Sequence, residues 1–561
     1  MHSPNWFFTV FPENSVALTV LAISLVAASG LALGGLKFKG LTIGIPGVMF
    51  TGLIFAVLLG PGRLNEQVVA FIRDFGLIVF VYAVGVQVGP GFLDSLRRNG
   101  LPLNLMAASI VLLGAILSVI IAFATHTGVQ AAVGLFAGAT TNAPAFGSAS
   151  EALKSVHPDS ATAEIASKTG PAFAIAYPFG LLGVCLAMVL LRSLFRSNPQ
   201  AEAQSLESSN GGKAALETLN IELKNPNLVG LALHRIADLQ GSGVVISRIL
   251  QNDKLIVGQP DVQVGLGDVL LAVGPGEELR DLRLIAGEES KVDLRAVPSN
   301  IITRAVLVTH RNALGKKVDD LDLPRRLGAT ITRIGRAGME FTAVGEMRLQ
   351  FGDRLRIVGE KESIEAAARQ LGDSARELNV PRLLPIFVGI SLGVVLGSIP
   401  VFIPGLPAPV KLGLASGPMI VAIILARIGR IGPMIWYMPI GASALLRELG
   451  IVLFLIAVGL QSGRGFFNNL FSATGVEWLL LGGLITLLPL MLVGIAAKRF
   501  FKTSYLHVCG LLCGSMTSPS LAFTQTMTPS EAPAVAFATV YPLTMILRVL
   551  LAQLIVLIFV R

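Results

Sequence analysis

Long uninterrupted apolar stretches dominate both ends of the chain, and a polar region separates them. Stretches such as 16–36 and 101–124 contain no charged residue, and each exceeds the roughly 18 apolar residues that indicate a membrane-crossing helix. The apolar stretches stop near Phe195 and resume near Leu383. This pattern predicts a polytopic α-helical membrane protein, in which a soluble insert separates two membrane halves.

The polar centre has the pattern of two small α+β modules. Alternating β-branched runs at 243–250 and 329–335 indicate strands, and a Gly-Asp turn recurs at 267–268 and 352–353. The predicted boundaries are a first membrane repeat at 1–196, a flexible polar linker at 197–214, tandem modules at 215–297 and 298–373, and a second membrane repeat at 374–561.

The two membrane halves are internal repeats of each other. Residues 73–96 align without gaps with 447–470 and are identical at eleven of twenty-four positions, among them Gln87 and Gln461. The stretch AFAIAYP matches AFATVYP, and GATTNAPA (138–145) lies at the place of GSMTSPSL (514–521). Shared polar residues and prolines are not expected from chance similarity between apolar sequences, so we infer a duplication.

Each half contains six apolar stretches, and the distribution of basic residues decides how many of them cross. If the stretch with the turn enters and returns on one side, basic residues such as Arg97, Arg98, Arg192 and Arg196 all lie inside, as the positive-inside rule expects. About five spans plus one re-entrant hairpin per half follow. An odd number of spans makes the repeats inverted, with both termini outside and the insert in the cytosol.

The two turns are the candidate substrate site. Backbone freed from a helix is not tolerated against lipid, whereas unwound turns and helix N-termini present N–H groups that suit a carboxylate. The alternative is a packing element whose hydroxyls bond to their own backbone. The candidate substrate-binding residues at the turns are Thr140, Thr141, Asn142, Ala143, Pro144, Ser515, Met516, Thr517, Ser518, Pro519 and Ser520.

Charged residues favour an anionic substrate. Segments 129–149 and 505–527 contain no Asp or Glu, which counts against a cation/proton antiporter. Arg548 lies in the middle of a predicted span, where a cation is costly and usually functional, and arginine can hold a carboxylate with two hydrogen bonds. Candidate supporting residues are Arg73, Gln87, Tyr177, Arg447, Gln461 and Tyr541. For the two arginines, the alternatives to substrate contact are an ion pair with the acidic residue that follows each of them and snorkelling to the membrane interface.

Other chemistry is not predicted. The net charge of +9 is not concentrated in a basic run, so no nucleic-acid partner is expected. Cys185, Cys509 and Cys513 fall in apolar stretches and are predicted to be buried hydrophobic residues rather than metal ligands. No catalytic residue, metal site or cofactor is predicted, and the protein is not expected to be an enzyme.

Taken together, the paired helices 73–92 and 447–466, the GATTNAPA and GSMTSPS turns and the central insert resemble the aspartate:alanine exchanger family of bacterial secondary transporters. The insert resembles a pair of the C-terminal modules found in regulators of K⁺ conductance. The resemblance implies an antiporter that exchanges an acidic amino acid or dicarboxylate such as aspartate for a smaller product such as alanine. It also implies alternating access of the elevator type, a homodimer in the bacterial inner membrane, and a small regulatory ligand on the cytosolic modules.

Two alternative functions remain open at this point. A succinate-like dicarboxylate exporter would use the same turns and the same arginine. A ligand-gated ion channel controlled by the cytosolic modules would also account for the paired insert.

Overall fold

The computed structural model describes the chain in two units. The membrane unit comprises Met1–Ala203, Ile386–Ile424 and Ile440–Arg561, and the insert unit comprises Gln204–Pro385 and Leu425–Pro439. The described residues are 10–38, 41–42, 44–89, 101–125, 127–157, 159–209, 216–238, 243–336, 339–402, 411–516, 519–528, 530 and 532–560.

The first membrane half is helical throughout its apolar stretches. A two-residue strand pair, Lys37–Phe38 with Leu41–Thr42, lies between the first two helices. A short helix, Ala161–Glu164, and a π-helical turn, Ile165–Thr169, precede the last one. In chain order the helices are α1 (Val16–Gly34), α2 (Gly47–Leu59), α3 (Glu66–Val88), α4 (Leu101–Ala124), α5 (Val129–Ala139), α6 (Ala143–Val156) and α7 (Gly170–Leu194).

The second membrane half repeats this order of helices. A two-residue strand pair, Arg430–Ile431 with Met434–Ile435, lies here between the second and third helices. The helices are α9 (Leu383–Ser398), α10 (Gly413–Ile428), α11 (Ile440–Leu470), α12 (Ala473–Arg499), α13 (Tyr505–Gly514), α14 (Pro519–Met527) and α15 (Ala532–Phe559).

Polar residues mark where several of these apolar helices begin. The side chains of Ser15, Asn65, Ser472 and Ser504 each accept a hydrogen bond from a backbone N–H of the first turn. Such N-caps satisfy donors that have no partner within the helix. The hydrophobic segments that follow carry no charge or few charges, so the helix ends are fixed by hydroxyl and amide groups.

Among the described residues, eight helices are long and apolar enough to cross a membrane, four in each half. The prediction of a multi-pass membrane protein with two helical halves is thereby confirmed. The predicted fifth span of each half corresponds to α2 and α10, which are shorter, with 13 and 16 residues. Their ends are fixed by glycines with positive φ, Gly44 and Gly60 beside α2 and Gly413 and Gly429 at α10.

The insert contains two α+β modules, and their sheets have the same strand order. The first sheet is β3-β2-β4-β1-β5 and the second is β8-β7-β9-β6, with antiparallel neighbours. One helix of eleven residues follows strand β4 in the first module and strand β9 in the second, Gly276–Ala286 and Lys361–Leu371. The strands are β1 (Glu217–Leu223), β2 (Val245–Gln251), β3 (Lys254–Val257), β4 (Val269–Gly274), β5 (Gly287–Glu289), β6 (Ile301–Leu307), β7 (Ala329–Arg336), β8 (Met339–Thr342) and β9 (Arg354–Glu360).

The repeated Gly-Asp turn has the same geometry in both modules. Gly267 and Gly352 have φ values of 85° and 87°, a conformation that glycine adopts without strain. The following carboxylates, Asp268 and Asp353, each accept a backbone N–H at 2.7 Å. The two modules therefore share this turn and the order of four strands, and their origin by duplication stays a prediction.

The linker differs from its predicted form. Residues Pro199–Ser209 form a helix, α8, although their composition is typical of a flexible chain. Glu202 at the first turn of this helix binds Lys498 and the backbone N–H of Tyr505. Tertiary contacts, which composition does not reveal, therefore stabilise the helix.

Helices α3 and α11, the pair aligned in the sequence, cross each other in antiparallel directions. Gly76 and Gly450 lie at the crossing, where each helix backbone fills the space that a Cβ on the other would need. On one side Arg73 binds Gln461, and on the other Arg447 binds Gln87. The contacts therefore have the local twofold symmetry that inverted repeats predict, and inversion of the complete halves stays a prediction.

The membrane helices form two groups by their packing. The first group comprises α1–α3 and α9–α11: α11 packs on α2 and α3, and Gly85 of α3 packs on Met419 and Ala422 of α10. The second group comprises α4–α7 and α12–α15, with extensive contacts of α7 with α5 and α12, and of α15 with α4, α6 and α13. We call the first group the scaffold and the second the hairpin group.

Candidate functional site

The first hairpin consists of α5, the turn at 140–142 and α6. Gly134 of α5 packs against the carbonyl of Thr169, and Gly138 packs against that of Phe173 in α7. Because the residue numbers rise together along both helices, α5 and α7 run in the same direction. The chain must therefore return through α6 to the side where α5 began, as a re-entrant hairpin does.

The second hairpin consists of α13, the connecting residues Ser515 and Met516, and α14, with residues 517 and 518 outside the described part of the chain. Gly510 of α13 packs against the carbonyl of Pro533, and Gly514 packs against Phe537 of α15. These are the residues that align with the contacts of the first hairpin. The two hairpins therefore share one packing arrangement on the last helix of their own half.

The first turn lies about halfway along its neighbouring helix. With 11 residues, α5 is about 16 Å long, roughly half the thickness of a hydrocarbon core of about 30 Å. Its last residues lie against Gly180, near the middle of α7. The turn therefore lies near mid-length of α7, and its position at the bilayer midplane stays a prediction.

The tips of the two hairpins, residues 140–142 in the first and Ser515 and Met516 in the second, converge on one turn of α15. The Nδ2 of Asn142, in the first tip, lies 3.3 Å from the Sδ of Met545. The Nη1 of Arg548 donates to the carbonyl of Met516, in the second tip, at 3.1 Å. Met545 and Arg548 are about one helical turn apart on the same helix, so α15 joins the two tips.

At the first tip, the hydroxyls bind the tip's own backbone. Thr140 donates to the carbonyl of Phe136 and Thr141 to that of Thr140, both at 2.8 Å, as the packing alternative predicts. Thr141 has a φ of 50°, a strained value for a β-branched residue. Asn142 caps α6 through the N–H of Ala145.

Few donors of the first tip remain for a ligand. Pro144 has no N–H, and the N–H groups of Ala145 and Phe146 bind Asn142. The N–H of Ala143 has no hydrogen-bond partner within the described part of the chain. The sequence predicts several free backbone N–H groups at the first turn. The structure leaves one such N–H, that of Ala143, and two hydroxyl oxygens that can accept a hydrogen bond.

The second tip offers a free hydroxyl. Ser515 is completely buried, and its Oγ has no partner among the residues that the structure describes. Met516 is also buried, Pro519 begins α14, and Ser520 is buried in it. The predicted site residues Thr517 and Ser518 lie outside the described residues.

Arg548 is the charged centre of this region. Its side chain is 1% exposed, and its only hydrogen bond to a described residue is the one to Met516. The Nε and Nη2 atoms have no partner in the described ranges, and no carboxylate there lies within ion-pair distance. A buried guanidinium without a counter-ion is unfavourable, so the arrangement suits an anionic ligand.

The other two candidate arginines lie at the α3–α11 crossing rather than at the tips. Arg73 is buried and binds both carboxylate oxygens of Asp74, at 2.8 and 3.3 Å, and Gln461 at 2.9 Å. Arg447 donates to Gln87 at 3.4 Å. For Arg73 the structure shows the ion pair that the sequence left as an alternative.

The two candidate tyrosines lie in aromatic pairs. Tyr177 is buried against Phe173, with ring centroids 5.4 Å apart, and Tyr541 stacks on Phe537 at 4.9 Å. Neither hydroxyl forms a hydrogen bond to a described residue. Both tyrosines belong to the last helices, α7 and α15, that carry the hairpins.

The structure adds two residues that the sequence did not indicate. Thr486 of α12 is buried, and its hydroxyl donates to the carbonyl of Ala139 at the first tip, at 2.8 Å. Thr544 donates to the carbonyl of Gly514 at the second tip, at 2.7 Å. Each satisfies a carbonyl where a hairpin helix ends. Isolated threonines in apolar spans give no sequence signal for this role.

One carboxylate lies further out on the first hairpin. Glu151 accepts the N–H of Leu414, the second residue of α10, at 2.9 Å, and with Lys411 and Gln553 it lines a cavity of about 120 Å³. It is eight residues from the start of α6, or about 12 Å along the helix. Glu151 therefore links the hairpin group to the scaffold and does not belong to the tips.

The cysteines are buried thiols, as predicted. Cys509 and Cys513 lie within α13, and no group of three metal-ligating side chains occurs in the described stretches of sequence. His507 bonds to Ser504, the N-cap residue of α13, at 2.7 Å. This histidine therefore has a local structural partner.

Comparison with known proteins identifies the family. The Asp-Al_Ex family model, described as a predicted permease membrane region, matches residues 22–193 and 385–557. A TrkA-C domain model matches residues 302–372, which form the second module of the insert. No solved structure matches the chain. The permease matches cover more than half of the sequence, and the chain therefore belongs to the aspartate:alanine exchanger family of multi-pass membrane permeases, with a TrkA-C domain in its centre.

Proposed function

We propose that the protein is an antiporter that exchanges an acidic amino acid or dicarboxylate, such as aspartate, for a smaller product such as alanine. The single observation that carries this proposal is the buried guanidinium of Arg548, which lies where the two hairpin tips meet and whose Nε and Nη2 atoms have no partner among the described residues. A substrate carboxylate binds Nε and Nη2 side by side. Binding supplies the negative charge that the described surroundings lack.

The neighbouring groups fit a small amino acid or dicarboxylate. The hydroxyl of Ser515 has no partner in the part of the chain that the structure describes, and the first tip contributes the Ala143 N–H and the oxygens of Thr140 and Thr141. One guanidinium and a few neutral groups hold one carboxylate firmly and the rest of the molecule loosely. Such a site favours release on either side, which exchange requires.

Alternating access of the elevator type is supported by the two helix groups. Both hairpins and Arg548 belong to the hairpin group, which packs internally more closely than against the scaffold. The scaffold is held by the reciprocal α3–α11 crossing. In this proposal the hairpin group carries the substrate past the scaffold as one body.

The setting of the protein follows from the same proposal. We place it in the bacterial inner membrane as a homodimer, with both termini outside, the insert in the cytosol and a small regulatory ligand on the modules. The reciprocal contacts between α3 and α11 support inverted repeats.

Counterflow in proteoliposomes tests the transport activity. We expect vesicles loaded with unlabelled aspartate to accumulate external radiolabelled aspartate, and internal alanine to support the same uptake. Empty vesicles containing the protein are the control, since an antiporter requires a counter-substrate. Failure of every amino acid and dicarboxylate to exchange would remove the proposal.

The same preparation separates the alternatives. Exchange limited to succinate and related diacids would identify the dicarboxylate exporter. A current far above carrier turnover, independent of internal substrate, would identify the ligand-gated channel.

Thiol labelling tests the opposite orientation of the hairpins. We expect a cysteine at Lys154, near the end of the first hairpin, to react with an impermeant maleimide from outside intact cells. A cysteine at Lys502, just before the second hairpin, should react only after permeabilisation. The native thiols are buried, which keeps the background low. Labelling of both positions from the same side would contradict the inverted arrangement.

A further inference from the structure

The linker helix α8 holds both arms of the second hairpin. One carboxylate oxygen of Glu202 accepts the N–H of Tyr505, the first residue of α13, at 2.5 Å, and the other lies 3.2 Å from the Nζ of Lys498. Gln200 donates from its Nε2 to the carbonyl of Met527, the last residue of α14, at 2.9 Å. We call these contacts of Gln200 and Glu202 the linker clasp.

The clasp is placed where it restrains the hairpin most directly. The carboxylate of Glu202 lies at the N-terminus of α13, where the helix dipole and a free N–H favour a negative charge. Ala203, the next residue of α8, is buried. The start and the end of the hairpin are thus tied to one short helix, so the hairpin moves freely only if these bonds break.

The same helix leads into the insert. Residues 210–216 connect α8 to β1, the first strand of the first module. The first module in turn contacts the second through Arg325, which binds Asp261 at 2.6 and 3.0 Å, and through Thr330, which donates to the carbonyl of Gly258 at 3.0 Å. Seven residues of the chain separate α8 from the first module.

The second module packs on the segment Leu425–Pro439, which belongs to the same unit. Gln350 donates to the carbonyl of Arg427 at the end of α10, and Arg430 donates to the carbonyl of Arg311. Phe351 packs on Tyr437, with ring centroids 5.0 Å apart, just before α11. These contacts lie within the insert unit, which includes Leu425–Pro439.

We propose that the linker clasp is the device through which the modules control the second hairpin. A change in the contact between the modules alters the strain on α8, strengthens or breaks the bonds of Gln200 and Glu202, and so sets how readily the hairpin opens. Coupling of this kind is reciprocal, so opening of the hairpin also changes the equilibrium between the module arrangements.

Hydrogen–deuterium exchange of the full-length protein in detergent tests the clasp without requiring transport. In the double variant Gln200→Ala/Glu202→Gln, we expect exchange in Tyr505–Gly514 and Pro519–Met527 to rise about tenfold, since one charge-assisted and one neutral hydrogen bond are lost. Exchange in the first hairpin should not change. The matched control is Gln204→Ala, an exposed position on the same helix.

A second variant tests whether the modules act through the clasp. Asp261→Arg opposes two positive charges at the contact between the modules, and the swap Asp261→Arg/Arg325→Asp restores the pair. We expect Asp261→Arg to change exchange of the second hairpin at least threefold in the wild-type background. The swap should reverse this effect, and the clasp variant should abolish it.

Two results would overturn the inference. One is unchanged exchange of the second hairpin in the clasp variant, and the other is an equal effect of Asp261→Arg with and without the clasp. Because the readout is exchange of backbone amides, either result leaves the proposed antiport untouched. Failure of counterflow likewise leaves the clasp untouched.

Discussion

Replacing Arg548 by glutamine is expected to reduce counterflow at least 100-fold and to leave the protein no less stable than the wild type. The guanidinium is buried and has one hydrogen bond to a described residue, to Met516, so removing its charge relieves a desolvation cost of several kcal/mol. Loss of two charge-assisted bonds to a carboxylate costs about 3 to 6 kcal/mol, which accounts for the loss of exchange. Counterflow and the melting temperature of the purified protein measure the two effects.

The controls separate charge from geometry. Arg548→Lys keeps the charge but not the planar pair of donors, and we expect it to recover a small part of the activity. Arg499→Gln changes an exposed arginine at the end of α12 and should transport normally. A lower melting temperature of Arg548→Gln together with normal exchange would show that Arg548 serves the structure and not the substrate.

Valine at Gly138 or Gly514 is expected to lower the free energy of unfolding by about 3 kcal/mol or more and to abolish transport. A Cβ at Gly138 would meet the backbone of Phe173, and one at Gly514 would meet Phe537 and Val540. Overpacking against backbone atoms is strongly destabilising, because the backbone, unlike a side chain, cannot change rotamer to make room. Thermal unfolding in detergent with a tryptophan or thiol probe measures the loss.

A matched glycine provides the control for this prediction. Gly441, at the start of α11, has open space where a Cβ would lie, so Gly441→Val should unfold near the wild-type temperature. We expect a larger loss at Gly138, where the atoms nearest to a Cβ belong to the backbone, than at Gly514, where the nearest atom is a side-chain methyl of Val540. An unchanged melting temperature of Gly138→Val would contradict the packing described for the first hairpin.

The hairpins were predictable from the sequence because three independent signals coincide there. Pro144 and Pro519 disfavour continuous helix, and the hydroxyl-rich turns recur at aligned positions. The basic residues lie mostly on the inside only if the segment with the turn enters the membrane and returns on the same side. Arg548 was predictable because a lone cation in a long apolar span is rare. These signals place the turns and the arginine along the chain. They do not identify the contact of Asn142 with Met545 or that of Arg548 with Met516.

Other features depend on contacts between distant residues and leave no local signal. Thr486 and Thr544 cap carbonyls of the tips, yet in the sequence they resemble any threonine in an apolar helix. Glu202 makes α8 a helix through partners some 300 residues away, where composition alone predicts a flexible linker. The sequence likewise does not predict the hydrogen bond between Arg73 and Gln461, although both residues lie in the aligned repeat.

The crossing of α3 and α11 has a consequence for how the chain is made. Arg73 has Asp74 next to it, but its second partner, Gln461, is synthesised 388 residues later, and Gly450 follows its partner Gly76 by 374 residues. The crossing of α3 with α11 can therefore form only after α11 has been synthesised. We expect a chain that ends before α11 to lack the partners of Arg73 and Gly76 on that helix.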